Sequence, residues 1–578
     1  MYGLNVLVEK ALIKIEKDNG IWMHDLIEDM GKEIVRQESP EIGKRSRLWL
    51  YENVREVLEE NTGTDKIKAI VLRSRARNSQ KIQLNGGSFT NLKNLQIFQD
   101  CVWMLDGKSV DYLSNQLRVL DWRCCSLQSL PTNFNPKKLG MLRMSGPCTT
   151  PLGLKLKEMP HLKSIRLWRC DGLTRIPDLS GLTCLKNLDL SGCEDLVEVD
   201  PSVGRLDKLV YLRLKYCKKL QRFPKVINLK SLETLNLSYW PLEFFPEIEG
   251  DMRSLKHLNL SRTAIKELPC SVGNLTGLES LDLDGCYNLT NVPSSIFYGL
   301  QRLEDLDLQY CSKLVTFPTK SESLPPPVFS TNLTSRLKVN LRECSELKEI
   351  SEFPREIDSL YVSGCESLKR ISKLSNILEG KDSKMFGELS FTSCLRLRDN
   401  LVLAMKSTKK LMSEADKLTA LLRLFFSCAK SEEFQVEFPA SAPIPNWFTC
   451  RQDVKLDWDE DVNSEEHEFC IELPQNFNWD NKGLALCIQS YPGRLTHFVY
   501  INGIKFDVRL SAGSHKVWVH YIPFVTVRKR LSESGMPQPD MFRVKFRLEA
   551  DYLSRGEPPF EASWGVHLIE DLEGEGRR

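Results

Sequence analysis

The residues able to ligate a metal or attack a substrate include 8 histidines and 18 cysteines. Their spacing argues against both chemistries. Zinc takes thiolates and imidazoles in short, fixed pairs, and the chain has neither a C-x-x-C pair nor H-E-x-x-H. His515 and His520 lie five apart with no cysteine beside them. Nucleophilic catalysis needs a nucleophile beside an oriented base, and the histidines form no such set. A phosphate cradle needs G-x-x-x-x-G-K-[ST]. Gly107-Lys108-Ser109 comes nearest, but Val102 occupies the place of the first glycine. No catalytic residue, metal ligand or bound cofactor is therefore expected, and the chain is expected not to be an enzyme.

The cysteines carry a different message. Cys125, Cys170, Cys193, Cys217, Cys286, Cys311, Cys344, Cys365 and Cys394 occupy one fixed place in a unit that recurs every 23 residues or so. Leu185, Leu188 and Leu190 precede Cys193, and Leu209, Leu212 and Leu214 precede Cys217. Leu278, Leu281 and Leu283 precede Cys286, and Leu303, Leu306 and Leu308 precede Cys311. The pattern L-x-x-L-x-L-x-x-C is the leucine-rich repeat, whose core is a short strand with its leucines inward. Cysteines stacked in that core act as small apolar groups. With no signal peptide at the N-terminus, reduced thiols in the cytoplasm are expected, and the nucleus is a second expected compartment. The apolar run Leu418–Ala429 contains Arg423 and is too short to cross a bilayer. A net charge of +2 gives no general attraction to nucleic acid.

These spacings predict an α/β leucine-rich-repeat solenoid, a horseshoe, over residues 116–395. Residues 1–65 read as helical, and 66–115 as a linker and cap. An inserted loop is expected at Pro325-Pro326-Pro327 and a helical connector over 396–430. Short alternating segments over 431–570, such as Phe434–Phe438 and Val544–Leu548, predict an antiparallel β-sandwich.

The segment Ile21–Arg36, containing Met23, His24 and Asp25, resembles plant intracellular immune receptors of the TIR-NB-ARC-LRR class. There the Met-His-Asp motif closes the nucleotide-binding module. Lys44–Trp49 and Val57–Thr64 are similar to the same class. Pro445, Trp447 and Phe448 within Ala442–Phe448, and the segment Ala562–His567, resemble its post-repeat domain, the C-JID. The resemblance implies that 1–65 is a winged-helix remnant and that 431–570 is a jelly-roll or Ig-like domain. It implies a disease resistance protein, of which this chain is the recognition and autoinhibition part. The class's TIR domain, a NAD hydrolase, and its phosphate-binding loop have no counterpart in the sequence. ADP or ATP is expected only in the intact receptor, where His24 would sense its phosphate. Here His24 also reads simply as the start of a helix. Expected partners are a pathogen effector or guarded host protein, and the receptor's own or other NB-ARC and TIR modules, with no membrane and no nucleic acid. The alternative is a truncated repeat adaptor or decoy that binds other receptors or proteins without nucleotide switching.

Outward positions of the repeats supply the docking candidates. The early repeats present Arg123, Arg143, Arg166, Trp168, Tyr211, Arg213 and Lys215, interrupted by Asp121 and Asp189. Late repeats present Asp282, Asp284, Asp305 and Asp307. Segregation by sign suggests a polarised docking surface, although a solvated sheet face also needs charge. The acidic stretch 457–468 and the cluster Arg528-Lys529-Arg530 read as solvated loops, and Trp447 as core.

Overall fold

The computed structural model describes residues 2–10, 12–15, 21–72, 80–100, 105–125, 127, 130–146, 156–318, 337–351, 357–374, 387–404, 419, 421–422, 425, 433–439, 444, 448–456, 464–473, 483–490, 495–506, 516–536, 541–550 and 560–569. The chain divides into two compact units. One comprises 1–242 with 246–258, and the other 243–245 with 259–578.

The first unit opens with helix Tyr2–Glu9 and an antiparallel hairpin, Ile13–Ile15 with Ile21–Met23. Helix Asp25–Gln37 follows, with Asp25 and Glu28 in its first turn, where carboxylates suit the helix dipole. Strand Arg47–Leu48 then pairs in parallel with Ala69–Leu72. The repeat sheet thus begins inside the stretch assigned to the winged helix. It continues through Ile97–Asp100, Val119–Trp122, Met141–Ser145, Ser164–Trp168, Asn187–Asp189, Tyr211–Arg213 and Thr234–Asn236, each parallel to the last. The inward leucines are buried throughout. Each contributes about 2 kcal/mol over its exposed state.

In the second unit the parallel sheet runs through Ser280–Asp282, Asp305–Asp307, Leu337–Asn340, Ile357–Tyr361 and Glu388–Ser390 to Phe434–Pro439. That last strand has a second partner, Lys516–Pro523, in antiparallel register. Gly483–Ser490, Phe560–Ile569 and Cys450–Leu456 then extend the same sheet. Phe434–Pro439 therefore belongs to both the repeats and the C-terminal strands. A four-stranded antiparallel sheet is built from Ser464–Glu472, Met541–Ala550, Leu495–Ile501 and Ile504–Phe506. Its inner side chains Phe469, Val499 and Phe546 share one apolar cluster with Leu486, Trp518 and Trp564 of the first sheet.

Two devices recur from rung to rung. The buried cysteine donates its thiol to a carbonyl of the preceding rung: Cys193 to Leu167 at 3.1 Å, Cys286 to Leu260 at 3.2 Å, Cys394 to Val362 at 2.9 Å. After the repeat strands from Val119–Trp122 to Glu388–Ser390 the chain also turns through a left-handed residue. Glycine fills this place at 146, 192, 285 and 364, whereas Cys124, Arg169, Tyr216, Tyr239, Arg262, Tyr310, Glu343 and Ser393 hold it elsewhere. The expected loop at 325–327 and most of the expected connector lie outside the described residues. Leu395–Ala404 is helical.

Candidate recognition surface

Each repeat strand turns the residues on either side of its inward leucine outward, so stacking creates columns. In the first unit the central column reads Asp121, Arg143, Arg166, Asp189, Arg213, Asn236. Asp121 is buried, and it receives Arg143 Nη1 at 3.1 Å and Arg123 Nε at 3.4 Å. A buried carboxylate needs such partners, so these two arginines secure it. Arg166 and Arg213 have no ion pair among the described residues. Burial, reinforced by the neighbouring charge of Arg143 and then of Arg213, holds the Arg166 guanidinium below its ordinary value, while Asp189 opposes the shift.

The next column carries Trp168 and Lys215. Trp168 is 48% exposed, with the Arg169 guanidinium 4.8 Å from its ring centroid. Lys215 Nζ lies 5.0 Å from the ring of Tyr216 and 5.4 Å from that of Tyr239, and those two rings are 4.3 Å apart. Arg213 sits over Tyr211 at 5.2 Å. Such cation–ring contacts are worth about 0.5–1 kcal/mol at exposed sites. The structure thus gathers Arg166, Trp168, Tyr211, Arg213 and Lys215 into one patch. Arg169, missed in the sequence, joins them. Its signal was positional, since it follows Trp168 at the left-handed turn.

In the second unit the central column includes Asp282, Asp307 and Asn340. Their side chains also serve the turn. Asp282 accepts the Asp284 N–H at 3.0 Å and the Asn259 amide at 2.6 Å. Asp307 accepts the Gln309 N–H at 2.9 Å and the Asn340 amide at 3.1 Å. Burial raises both carboxyls above their ordinary value, and these hydrogen bonds oppose the shift. Asp284 faces Arg262 at 3.6 Å, and Asp305 is exposed.

Met23 and His24 are exposed at the start of helix Asp25–Gln37. His24 caps that helix, its Nδ1 accepting the Leu26 N–H at 3.2 Å. Asp25 begins the helix. At the other end of the chain Phe448 is buried against Gly565, where an added Cβ would lie 3.1 Å from its ring. Pro445 and Trp447 lie outside the described residues. Among the described residues no group of three or more His, Cys, Asp or Glu is placed to hold a metal, and no helix is long and apolar enough to cross a membrane.

Comparison with known proteins finds relatives for parts of the chain. Residues 1–39 match the winged-helix domain of Roq1-like disease resistance proteins, and 228–319 match the leucine-rich repeats of RPS4B-like ones. TMV resistance protein N of Nicotiana glutinosa is 38% identical over 325 residues, covering 55% of this chain and 27% of that protein. Protein SUPPRESSOR OF npr1-1, CONSTITUTIVE 1 of Arabidopsis thaliana is 38% identical over 233 residues, 40% of this chain and 16% of that protein. Disease resistance protein RPS6 of Arabidopsis thaliana is 30% identical over 388 residues, 62% of this chain and 33% of that protein. The chain therefore spans a third or less of these relatives. Over these stretches it is similar to the winged-helix and leucine-rich-repeat regions of plant disease resistance proteins.

Proposed function

We propose that this chain is the recognition and autoinhibition part of a plant immune receptor that detects a pathogen effector, or a host protein the effector alters, and triggers defence. It works by binding, without catalysis and without a nucleotide of its own, in the cytoplasm and also in the nucleus. The observation that carries this reading is the outward column of each unit. The first presents arginine and lysine among aromatic rings, and the second presents Asp282, Asp284, Asp305 and Asp307. One suits an acidic face of the receptor's nucleotide module, and the other a basic partner. In the intact receptor His24 is assigned to the nucleotide phosphate. An imidazole that accepts at Nδ1 is, when neutral, the tautomer that donates from Nε2.

The test uses the full-length receptor in a cell-death assay. Reversing Arg143, Arg166 and Arg213 to Glu is expected to give signalling without effector. Reversing Asp282, Asp284 and Asp305 to Lys is expected to abolish the response to effector. Single exposed pairs are worth about 0–1 kcal/mol, so triple changes are needed. If both triple variants accumulate normally and behave like the parent, these columns are solvated faces and the reading fails.

A further inference from the structure

Several cations on the surface of the first unit are paired. Lys157 meets Asp178 at 2.9 Å, Lys218 meets Glu194 at 2.8 Å, Lys219 meets Asp195 at 2.7 Å, and Arg222 meets Glu198 at 3.5 Å. The outward face of rungs 164–168 and 211–213 gathers cations of another kind. Arg166, Arg169, Arg213 and Lys215 have no ion-pair partner among the described residues, and the buried Arg166 Nε finds no acceptor. Four positive groups are thus held together around the single carboxylate of Asp189. Three of them rest against Trp168, Tyr211, Tyr216 and Tyr239.

Asp189 lies in register between Arg166 and Arg213. Its Oδ1 is occupied by the Ser191 N–H at 3.1 Å and the Ser191 hydroxyl at 2.6 Å. Its Oδ2 has no donor among the described residues. The face therefore alternates donor, acceptor, donor. Neighbouring strands lie about 4.8 Å apart, which puts the two arginines' rungs about 10 Å apart. A segment in the extended polyproline-II conformation advances about 3.1 Å per residue with three residues per turn, so carboxylates at i and i+3 share one face and span about the same length.

We propose that this patch binds an extended acidic peptide segment. One carboxylate sits on Arg166 and another, three residues on, on Arg213, with a backbone N–H between them on Asp189. Lys215, Arg169 and the exposed rings flank the segment. A DNA backbone fits less well, because it offers only acceptors between its charges and would bring phosphate against Asp189. The inference rests on the recognition reading above and names the chemistry of the partner at one of its faces.

The test is fluorescence anisotropy with the whole chain at low salt. The probe is a labelled eight-residue peptide carrying two Asp three apart. Comparison peptides carry Asn at both places, or the two Asp side by side. Binding of the first alone, lost as salt rises, supports the proposal. Arg166→Gln with Arg213→Gln is expected to weaken it by roughly tenfold or more, whereas Lys219→Gln, which removes the same kind of charge elsewhere, leaves it intact. Should the Arg166 change lower the melting temperature, Arg213→Gln with Lys215→Gln carries the comparison. Equal binding of the Asn peptide, equal loss in Lys219→Gln, or displacement of the peptide by an equimolar oligothymidylate overturns the proposal. Such a failure leaves the cell-death test untouched, because that test does not depend on which peptide is bound.

Discussion

At the scale of single residues the surface was partly legible. The 23-residue period placed Arg166, Arg213 and Lys215 outward, and the structure keeps them there. It also placed Asp121 and Arg143 one period apart, which is the distance at which side chains meet across rungs, so their pairing could have been read from the same count. The degree of burial could not. Asp282 and Asp307 looked like free surface charges, yet both are turn acceptors in half-buried sites. Their raised folded values mean that the folded state holds their protons more tightly than the unfolded chain does. Stability contributed by these groups therefore falls as pH rises from about 3.9, the unfolded value, through the folded values, and the penalty is complete above them. Asp282→Asn and Asp307→Asn should each melt higher than the parent at pH 7, and the gap should close as pH falls towards 4. Lower melting at pH 7 would mean that the carboxylate's hydrogen bonds outweigh its burial. The thiols invite a second measurement. Burial pushes Cys286 up to about 11, Cys217 higher still, and Cys311 well above its ordinary value. At pH 8 a thiol near 11 is ionised about one part in a thousand, against about a quarter for an ordinary one. Iodoacetamide followed by mass spectrometry should label Cys124, Cys270 and Cys470, which are exposed, and spare Cys193, Cys217, Cys286 and Cys311. Comparable labelling of Cys217 and Cys270 in the native chain would refute the buried ladder.

At the scale of elements the repeat strands were the most readable part, because three inward leucines and a cysteine leave little choice of face. Strand Phe434–Pro439 was the least readable. Alternation has the same period in parallel and antiparallel sheets, so the sequence marks a strand without naming its neighbours. About forty residues separate it from Glu388–Ser390, its parallel partner, so the repeat spacing gives no hint of the pairing either. Its shared position has a measurable result. Val436 pairs with Leu389 on one side and Val519 on the other. Proline there removes a donor from a strand bonded on both edges, at a cost of roughly 1–3 kcal/mol for the orphaned group, with ring clashes added. Hydrogen exchange in Val436→Pro should show Glu388–Ser390 and Lys516–Pro523 losing protection together. Loss on one side alone would mean that the two sheets open independently.

At the scale of the whole molecule the separation of labour predicts what the isolated chain does not do. Nucleotide cradles use a loop of backbone N–H groups with a lysine, and the sequence has no such motif. Isothermal calorimetry should therefore detect no ADP or ATP binding, and micromolar binding abolished by His24→Ala would overturn that expectation.

The left-handed turn after these repeat strands has a further consequence, for how this surface can change over generations. Cysteine, arginine, tyrosine, glutamate and serine all occupy the same backbone state in different rungs. That state costs about 1–2 kcal/mol for most side chains, and the buried spine beside it absorbs the cost. Once a rung has left glycine behind, exchanging one side chain for another there alters what is displayed and not how it is held. The glycine rungs are more constrained: at Gly192 and Gly285 an added Cβ would come within 2.9 Å of the arginine one rung earlier, Arg169 and Arg262. Within each unit freely variable positions thus sit beside fixed ones along one edge, where mutation can alter what is displayed without disturbing the fold.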